Sequence, residues 1–409
     1  MEFIGHFRRL TRAQRSTFIA CFLGWSLDAF DFFILTFCVS ALATQFQAKV
    51  SAVAEAIFIT LAFRPVGAFL FGMMADRFGR RVTLMVDIIA YSVFELASAF
   101  APSLKVFMVT RALFGIAMGG EWGVGAALAF ETLPAEQRGF FSGLLQEGYA
   151  VGFLMAALVY GTLFEWVGWR GMFVIGALPA FLVIYIRSTV DESPAWLQGR
   201  VAKGAGSGLS RDALKFVGPF LLMTVLMFAF TSFSHGTQDL YPTFLTKGIQ
   251  LRPHAVMLVA VVANLGALAG GILFGTWSER IGRRRAIVIA ALLSIPVIPL
   301  WAYSRTVPML ALGGFLMQFM VQGAWGVIPA HLNELSPAAV RGTFPGFAYQ
   351  LGNLLSSKNS VLQAKLVEQR YGGRFPPVLA WTVLLVASLV TLATWSGGER
   401  RGADLSRTS

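Results

Sequence analysis

The sequence has few charged residues for its length, since Asp, Glu, Lys and Arg make up 13% of 409 residues. Soluble domains average about 25% charged residues, whereas 56% of this chain is hydrophobic. A helix that crosses a bilayer needs about 20 mainly apolar residues, and such stretches follow one another through most of the chain. The scarcity of charge therefore argues against a soluble domain and predicts an all-α protein that crosses a membrane many times.

Cysteine is almost absent, because Cys21 and Cys38 are the only two in the sequence and both lie in or beside the first apolar stretch. Such a pair predicts no disulfide framework. The sequence also contains no Walker phosphate-binding loop and no Cys/His spacing typical of a zinc site. We therefore expect no cofactor, no metal and no enzymatic activity, and we disfavour transport driven directly by ATP.

The net charge of +12 could indicate a nucleic-acid partner, but the basic residues lie in short loops between apolar stretches. That distribution is the one that orients a membrane protein, so we expect no nucleic acid. The predicted spans cover residues 17–42, 51–75, 82–101, 104–131, 138–166, 169–187, 213–247, 254–278, 285–303, 306–333, 341–366 and 377–396. Twelve spans put both termini on one side, which has 21 Lys and Arg against nine on the other. This excess predicts cytoplasmic termini in a multi-pass inner-membrane protein.

The two halves of the sequence repeat each other at a constant offset of 203 residues. Residues 72–81 realign with 275–284, and residues 120–124 realign with 323–327. A single offset maintained through seventy residues predicts two pseudo-symmetric six-helix bundles with the binding site between them near the membrane midplane. The predicted boundaries are an N-terminal bundle at 1–188, a cytoplasmic linker at 189–212 and a C-terminal bundle at 213–409.

The repeated loops at 72–81 and 275–284 have a mechanical rationale. Their glycines allow a tight turn, their acid can lie near the N-terminus of a following helix, and their arginines can hold a facing helix end or carboxylate. The alternative is a merely basic loop, which two copies at one offset make improbable. The expected gating residues are Gly72, Asp76, Arg77, Gly79, Arg80, Glu279, Arg280 and Arg283.

Several charges lie inside the predicted spans, where each costs about 2.5–3.5 kcal/mol on insertion scales and normally faces the protein interior. Asp28 and Asp31 share one helix face, Arg64 lies near mid-membrane in span 2, and Glu147 lies in span 5. The repeat counterparts of Asp28, Arg64, Glu121 and Glu147 are uncharged, being Thr231, Ala267, Ala324 and Gln350. Each charge could belong to a structural ion pair, but a charge required by the common fold would be expected in both copies. The asymmetry favours substrate and proton handling.

Span 7 carries the densest polar patch, at residues 231–243. His235 and Asp239 are four residues apart and therefore share one helix face, and Pro242 can loosen the helix. Such a patch is costly in a membrane unless it lines a water-filled cavity. We therefore interpret it as part of the binding site.

These motifs resemble those of a known superfamily. The loop at 72–81 and the Arg111-x-x-x-Gly115-x-x-x-Gly119-Gly120 pattern resemble signatures of the major facilitator superfamily, and residues 191–197 resemble the signature that follows span 6 in its metabolite porters. The span-7 patch resembles that of the sialate:proton symporter family, which includes the fungal lactate/pyruvate proton symporters. The family pattern is Asn-x-x-[Ser/Thr]-His-x-[Ser/Thr]-Gln-Asp-x-x-x-Thr, and it is matched by Ser234, His235, Thr237, Gln238, Asp239 and Thr243, with Thr231 in place of the leading Asn.

The resemblance implies proton-coupled symport of a small carboxylate, with lactate or pyruvate as first choice and a sialic acid as second. In that family a span-2 Arg, the motif His and Asp, and a span-11 Gln-x-x-Asn pair matter for uptake. The expected substrate contacts here are Arg64, His235, Gln238, Gln350, Asn353 and Tyr149. The expected proton carriers are Asp28, Asp31, Glu147, Asp239 and His235.

Two other classes of function stay open from the sequence. A drug/proton antiporter on the same fold would favour a large apolar cavity with an acid and no central arginine, so Arg64 argues against it. A transporter-like sensor without flux would carry extra soluble segments, and the short stretch at 397–409 offers none. The expected partners are a small carboxylate, protons and membrane lipid, and we expect a monomer.

Overall fold

The computed structural model describes residues 2–48, 50–203, 213–403 and 405, and within these ranges the regular structure is entirely helical. Span 1 begins at a capping box, in which the Thr11 hydroxyl accepts from the Gln14 backbone N–H and the Gln14 side chain accepts from the Thr11 N–H. A short helix, Glu2–Arg8, precedes it.

The N-terminal bundle contains the first six spans. Spans 1 to 4 are Arg12–Gln45, Val50–Phe78, Arg80–Ala99 and Leu104–Thr132. Span 5 consists of Arg138–Gln146 and the first part of Gly148–Ile175. Gly168, with φ 61° and ψ −176°, separates span 5 from span 6, which continues through Leu178–Phe181 and Leu182–Thr189. Only glycine adopts this backbone conformation without strain, which explains why the chain turns there.

The C-terminal bundle repeats this arrangement. Span 7 is Ala213–Gln238 and continues through Tyr241–Thr243 and Phe244–Gly248. Spans 8, 10 and 12 are single helices, Pro253–Ile281, Val307–Leu335 and Phe375–Ser396. Span 9 consists of Arg283–Ser294, Ile295–Val297 and Ile298–Tyr303, and span 11 consists of Phe344–Ser356 and Asn359–Gln369.

Ten of the described helical segments are long and apolar enough to cross a membrane by length and composition. The other two predicted spans are interrupted. Span 6 contributes only the shorter apolar segment Leu178–Thr189, and span 11 breaks after Ser356. The predicted twelve-helix, two-bundle fold is confirmed, with two spans that are less regular than the hydrophobic pattern suggests.

The predicted linker is partly docked on the N-terminal bundle, and its residues 204–212 lie outside the described residues. Pro194–Lys203 is helical. The Glu192 carboxylate accepts from the backbone N–H groups of Arg80 and Arg81 and so caps the start of span 3. The Trp196 indole donates to the Asp76 carbonyl at 3.1 Å. The first part of this connection is therefore a fixed element of the N-terminal bundle, and the proposed bundle boundaries stay a prediction.

The repeated loops at 72–81 and 275–284 lie at the same end of the two bundles, called here the motif side, and they hold the bundles together there. Asp76 accepts from the Gly342 backbone N–H at 2.8 Å and from the Thr343 hydroxyl at 2.6 Å. Its repeat counterpart Glu279 accepts from the Phe140 backbone N–H at 2.9 Å. Each acid thus lies near the start of a helix in the opposite bundle, where the exposed N–H groups and the helix dipole favour negative charge.

Buried arginines extend this contact into an ion-pair network. Arg80 bonds to Glu131 at 3.1 and 3.2 Å, and its counterpart Arg283 bonds to Glu334 at 3.1 Å through both nitrogens. Arg341 of the C-terminal bundle also reaches Glu131, at 3.3 Å. The other two arginines expected to act in gating, Arg77 and Arg280, are exposed rather than buried. The Arg77 guanidinium lies 5.3 Å from the Phe78 ring centroid, and the Arg280 backbone carbonyl accepts from Arg401.

Glycines allow the two bundles to approach backbone to backbone on the motif side. A Cβ on Gly275 would lie 2.5 Å from the Gly139 carbonyl oxygen, and one on Gly123 would lie 2.7 Å from the Gly346 Cα. Both described ends of the chain lie here, because the His6 ring stacks on Phe140 and the Ala403 carbonyl accepts from Arg138. The bundles are therefore closed on the motif side. That this side faces the cytoplasm stays a prediction.

We predict that Asp76→Asn opens the motif side. The substitution weakens two charge-assisted hydrogen bonds, each worth about 1.5–3 kcal/mol against about 1 for a neutral one. Their combined loss of at least about 1 kcal/mol shifts the equilibrium between closed and open bundles by at least about fivefold. A cysteine at Ser142, which accepts from the Ala330 N–H across the interface, reports opening through its maleimide labelling rate in a chain lacking Cys21 and Cys38.

The matched control is Arg77→Ala, which changes an exposed residue of the same loop and should leave the labelling rate near that of the parent. Equal labelling in the parent and in Asp76→Asn would show that this contact does not hold the bundles together.

Candidate functional site

The centre of the candidate site is a buried ion pair between spans 1 and 2. The Arg64 Nη2 lies 3.3 Å from the Asp28 Oδ2, and the two residues are 4% and 0% exposed. The Arg64 Nε and the Asp28 Oδ1 are also buried, and neither has a hydrogen-bond partner among the described residues. The guanidinium is therefore neutralised through a single contact, and its Nε–H remains a donor without an acceptor.

Tyr149 of span 5 packs against span 1, which carries Asp28. Its ring stacks on Trp25 at 5.7 Å and meets the edge of Phe33 at 5.1 Å. Its phenol interacts electrostatically with Arg64 in the N-terminal bundle and with Asp239 in the C-terminal bundle. The structure thus places Tyr149 within electrostatic range of Arg64 and Asp239, two other residues that the sequence predicts for the site.

Span 11 supplies neutral polar groups opposite Arg64. The Asn353 amide donates to the Gln350 Oε1 at 3.3 Å. Gln350 is 1% exposed, and its Nε2 has no partner among the residues that the structure describes. Tyr349 interacts electrostatically with Arg64. This tyrosine was missed by sequence reasoning, although it directly precedes the predicted Gln350.

A group of indoles lies beside Tyr349. Trp122 and Trp325, which are repeat counterparts, lie 4.6 and 5.8 Å from the Tyr349 ring centroid. The indole nitrogens of Trp25, Trp122 and Trp325 are buried and without a hydrogen-bond partner in the described part of the chain. Because buried indole N–H groups usually find an acceptor, these three donors are candidates for contact with an anionic or oxygen-rich ligand.

His235 and Asp239 on span 7 form the hydrogen bond expected for residues one turn apart. The His235 Nδ1 lies 3.2 Å from the Asp239 Oδ1, and the side chains are 45% and 35% exposed. This exposure contrasts with the burial of the Arg64–Asp28 pair. Their role in proton transfer stays a prediction.

Two glutamines of span 10 hold the polar patch of span 7, and sequence reasoning missed both. The Gln238 Nε2 donates to the Gln318 Oε1 at 2.7 Å, and the Gln318 Nε2 donates to the Thr237 Oγ1 at 3.4 Å. One turn further along span 10, the Gln322 Nε2 donates to the Ser234 Oγ at 3.3 Å. The available signal was a pair of amides four residues apart within an otherwise apolar helix.

Asp31 has surroundings different from those of Asp28. It is fully buried, and neither of its carboxylate oxygens has a hydrogen-bond partner among the described residues. A Cβ on Gly176 would lie 2.9 Å from the Asp31 Oδ1 and 3.0 Å from the Glu95 Oε1, so the two carboxylates face the same point. Glu95, which sequence reasoning also missed, pairs with Arg111 at 2.8 Å.

Glu147 lies at the break between the two helices of span 5 and is 7% exposed. It faces Gly271 of span 8, since a Cβ on that glycine would lie 2.4 Å from the Glu147 Oε1. The structure therefore places this candidate proton carrier at the contact between the bundles.

Comparisons with known proteins agree with this geometry. A family model described as "Sugar (and other) transporter" matches residues 16–214 and again residues 214–393. The Saccharomyces cerevisiae protein named "Carboxylic acid transporter protein homolog" is 29% identical over 394 residues, covering 90% of this chain and 63% of the yeast protein. This chain thus spans less than two thirds of that relative.

Two further matches cover nearly the whole chain. The Escherichia coli protein named "Sialic acid transporter NanX" is 28% identical over 387 residues, covering 93% of this chain and 94% of that protein. The solved structure of the proton:xylose symporter XylE bound to 6-bromo-6-deoxy-D-glucose has a TM-score of 0.73 and 20% identity, covering 97% and 98% of the two chains. At that identity the likeness shows the fold alone.

We predict that the charges of this site differ in their contribution to stability. Arg111 is fully buried, bonded to Glu95 and Ser98 and 4.3 Å from the Phe114 ring centroid. Removing one member of a buried pair typically costs about 3–5 kcal/mol, so Arg111→Gln should markedly lower the melting temperature in detergent. Asp239→Asn breaks a partly exposed pair and should cost less than about 1 kcal/mol.

The double variant Glu95→Gln, Arg111→Met provides the control, because removing both charges together should recover part of the lost stability. A melting temperature for Arg111→Gln close to that of the parent would show that this pair is not required for stability.

Proposed function

This chain belongs to the sugar (and other) transporter family of the major facilitator superfamily, and from that premise we propose that it couples uptake of a small carboxylate to protons. Lactate or pyruvate is the first choice of substrate and a sialic acid is the second. The observation that carries this proposal is the single contact between the buried Arg64 and Asp28. The names of the yeast and E. coli relatives, a carboxylic acid and a sialic acid transporter, support a carboxylate.

The ion pair suggests how proton and substrate are coupled. A buried guanidinium requires an anion close by, and in this structure that anion is Asp28. A proton on Asp28 removes its charge, and the substrate carboxylate then becomes the anion that neutralises Arg64. A carboxylate can bind both edge nitrogens of the guanidinium fork, and the Arg64 Nε has no partner among the described residues. One proton and one carboxylate would therefore be loaded together.

The neighbouring groups have complementary roles in this proposal. The Gln350 Nε2 and the buried indoles supply donors to substrate oxygens, while Asn353, Gln238 and Tyr149 line the same region. His235 and Asp239, which are hydrogen-bonded and partly exposed, are further candidates for carrying the proton, together with Asp31 and Glu147. The proposed location is the inner membrane, with both termini in the cytoplasm.

Drug/proton efflux is the alternative of a different class. A transporter of apolar cations would have little use for a guanidinium at its centre, because Arg64 would repel its substrate. The burial of Arg64 beside Asp28 therefore favours the carboxylate.

We predict that Asp28→Asn separates substrate binding from proton coupling. In the wild type, binding takes up a proton, so lactate affinity should rise as pH falls, by up to about tenfold per pH unit. Asp28→Asn resembles the protonated state, so it should bind lactate with little pH dependence and keep counterflow in proteoliposomes. It should lose accumulation driven by an inward proton gradient.

Glu165→Gln, which removes an exposed carboxylate, serves as the control and should behave as the wild type. Uptake that follows a sodium gradient and ignores pH would sink the symport proposal. Full proton-driven accumulation by Asp28→Asn would remove Asp28 from the coupling step.

We also predict that Arg64→Lys binds lactate about 10–100-fold more weakly, because an ammonium group keeps the charge but lacks the bidentate fork. Lactamide, which has the same size but no carboxylate, should fail to compete for labelled lactate in the wild type. Arg77→Lys, the same change at an exposed position, is the control for the substitution itself.

If Arg64 only balances Asp28, the double variant Asp28→Asn, Arg64→Gln should restore lactate uptake and lactamide should compete normally. Competition by lactamide as strong as competition by lactate would overturn the assignment of Arg64 to the substrate.

A further inference from the structure

The hydrogen bonds between spans 7 and 10 determine which atom of Gln238 is left for a ligand. The Thr237 hydroxyl has one hydrogen, and its Oγ1 lies 2.9 Å from the Phe233 carbonyl oxygen, to which it donates. Toward Gln318 this hydroxyl can therefore only accept. The Gln318 amide must then present its NH₂ group to Thr237, at 3.4 Å.

This orientation is passed on to Gln238. With its nitrogen turned to Thr237, Gln318 presents its carbonyl oxygen to Gln238, 2.7 Å from the Gln238 Nε2. Gln238 must donate in this bond, so its own Oε1 points away from Gln318. Amide orientations are assigned from the hydrogen-bond network in this way, and here the backbone carbonyl of Phe233 anchors the chain of donors.

Gln238 and Gln318 differ in accessibility. Gln318 is 6% exposed, whereas Gln238 is exposed and directly precedes Asp239 at the accessible end of span 7. The Oε1 of Gln238 is therefore a pure hydrogen-bond acceptor whose orientation is fixed by Gln318, and it belongs to the residue next to Asp239 in the polar patch of span 7.

We propose that the transported carboxylate also carries a hydroxyl group, which donates to the Oε1 of Gln238, and that Gln318 is the positioning residue that holds this acceptor in place. The inference rests on the carboxylate transport proposed above and narrows it to hydroxycarboxylates. A keto oxygen at the same place would set two acceptors against each other, and a missing oxygen would leave the Gln238 acceptor unpaired. Sites built around a substrate hydroxyl reject analogues that lack it for this reason.

The test compares three acids of similar size as competitors of labelled L-lactate in proteoliposome counterflow: lactate (2-hydroxy), pyruvate (2-oxo) and propionate (no substituent). For the wild type we expect half-inhibiting concentrations of pyruvate and propionate about tenfold or more above that of lactate. The same comparison applies to a sialic acid and an analogue that lacks its hydroxyl next to the carboxylate.

Variants of span 10 separate positioning from a general effect on packing. Gln318→Leu releases Gln238 to present either its oxygen or its nitrogen, so the selectivity ratio should fall toward one while counterflow of lactate continues. Gln318→Glu keeps an acceptor oxygen toward Gln238 and should retain the ratio. Gln322→Leu removes the matched amide one turn away, which bonds to Ser234 rather than Gln238, and should retain the ratio at whatever rate it transports.

The outcomes distinguish the two levels of the proposal. Equal competition by lactate, pyruvate and propionate in the wild type would overturn the hydroxyl contact and leave carboxylate transport standing. A wild-type ratio that Gln318→Leu leaves unchanged would overturn the positioning role of Gln318. A wild-type protein that neither binds nor transports any of these carboxylates, sialic acids included, would overturn the proposed function and this inference together. A Gln318→Leu chain that fails to fold still leaves the wild-type and Gln318→Glu ratios as tests.

Discussion

An arginine near the middle of a membrane must have an anion within reach, and the arrangement of the site depends on that requirement. Arg64 has a single bonded partner in the described structure, Asp28, at 3.3 Å. A guanidinium that bonds to one carboxylate through one nitrogen has its charge balanced inside the bundle, and its other nitrogens can still bind another anion. In the function proposed here, this condition makes an exchange between Asp28 and a substrate carboxylate feasible.

Charges that occur in both repeats have a different role from charges that occur in one. Asp76 and Glu279, Arg80 and Arg283, and Glu131 and Glu334 are repeat counterparts, and each pair makes equivalent contacts on the motif side. The Asp76 and Glu279 contacts cross between the bundles and hold them closed there, whereas the Arg80–Glu131 and Arg283–Glu334 pairs each stabilise one bundle. Asp28, Arg64 and Glu147 have no charged counterpart in the other repeat, and they lie at the candidate site or at the bundle contact. Symmetric charges thus belong to the framework that the two bundles share. Among the asymmetric charges, Arg111 and Glu95 form a buried structural pair, whereas Asp28, Arg64 and Glu147 have roles in the function proposed here.

The two bundles also differ in the chemistry that they offer. The N-terminal bundle contains fully buried carboxyl groups, those of Asp28, Asp31, Asp87, Glu95 and Glu121. Opposite it, spans 7, 10 and 11 present amides, including Gln238, Gln318, Gln322, Gln350 and Asn353. Ionisable groups can exchange protons and neutralise a carboxylate, whereas amides can only read hydrogen-bond donors and acceptors. In the function proposed here, the N-terminal bundle binds the proton and the substrate carboxylate, and the C-terminal bundle recognises the uncharged part of the substrate.

Hydrophobic length, repetition and local spacing are properties of the sequence, and they determined the twelve spans, the two-bundle plan, the gating loops and the His235–Asp239 pair. Local spacing also identified Arg64 as an unusual cation. Only the tertiary structure decided that the bonded partner of Arg64 is Asp28, that Asp31 faces Glu95, and that Gln238 donates to Gln318. These contacts join residues that are far apart in the chain, and several acids and amides were equally available to each. The breaks in spans 6 and 11 and the docking of Glu192 on span 3 were hidden for a related reason, because apolar composition reports burial in lipid but not the backbone conformation or the hydrogen bonds that packing selects.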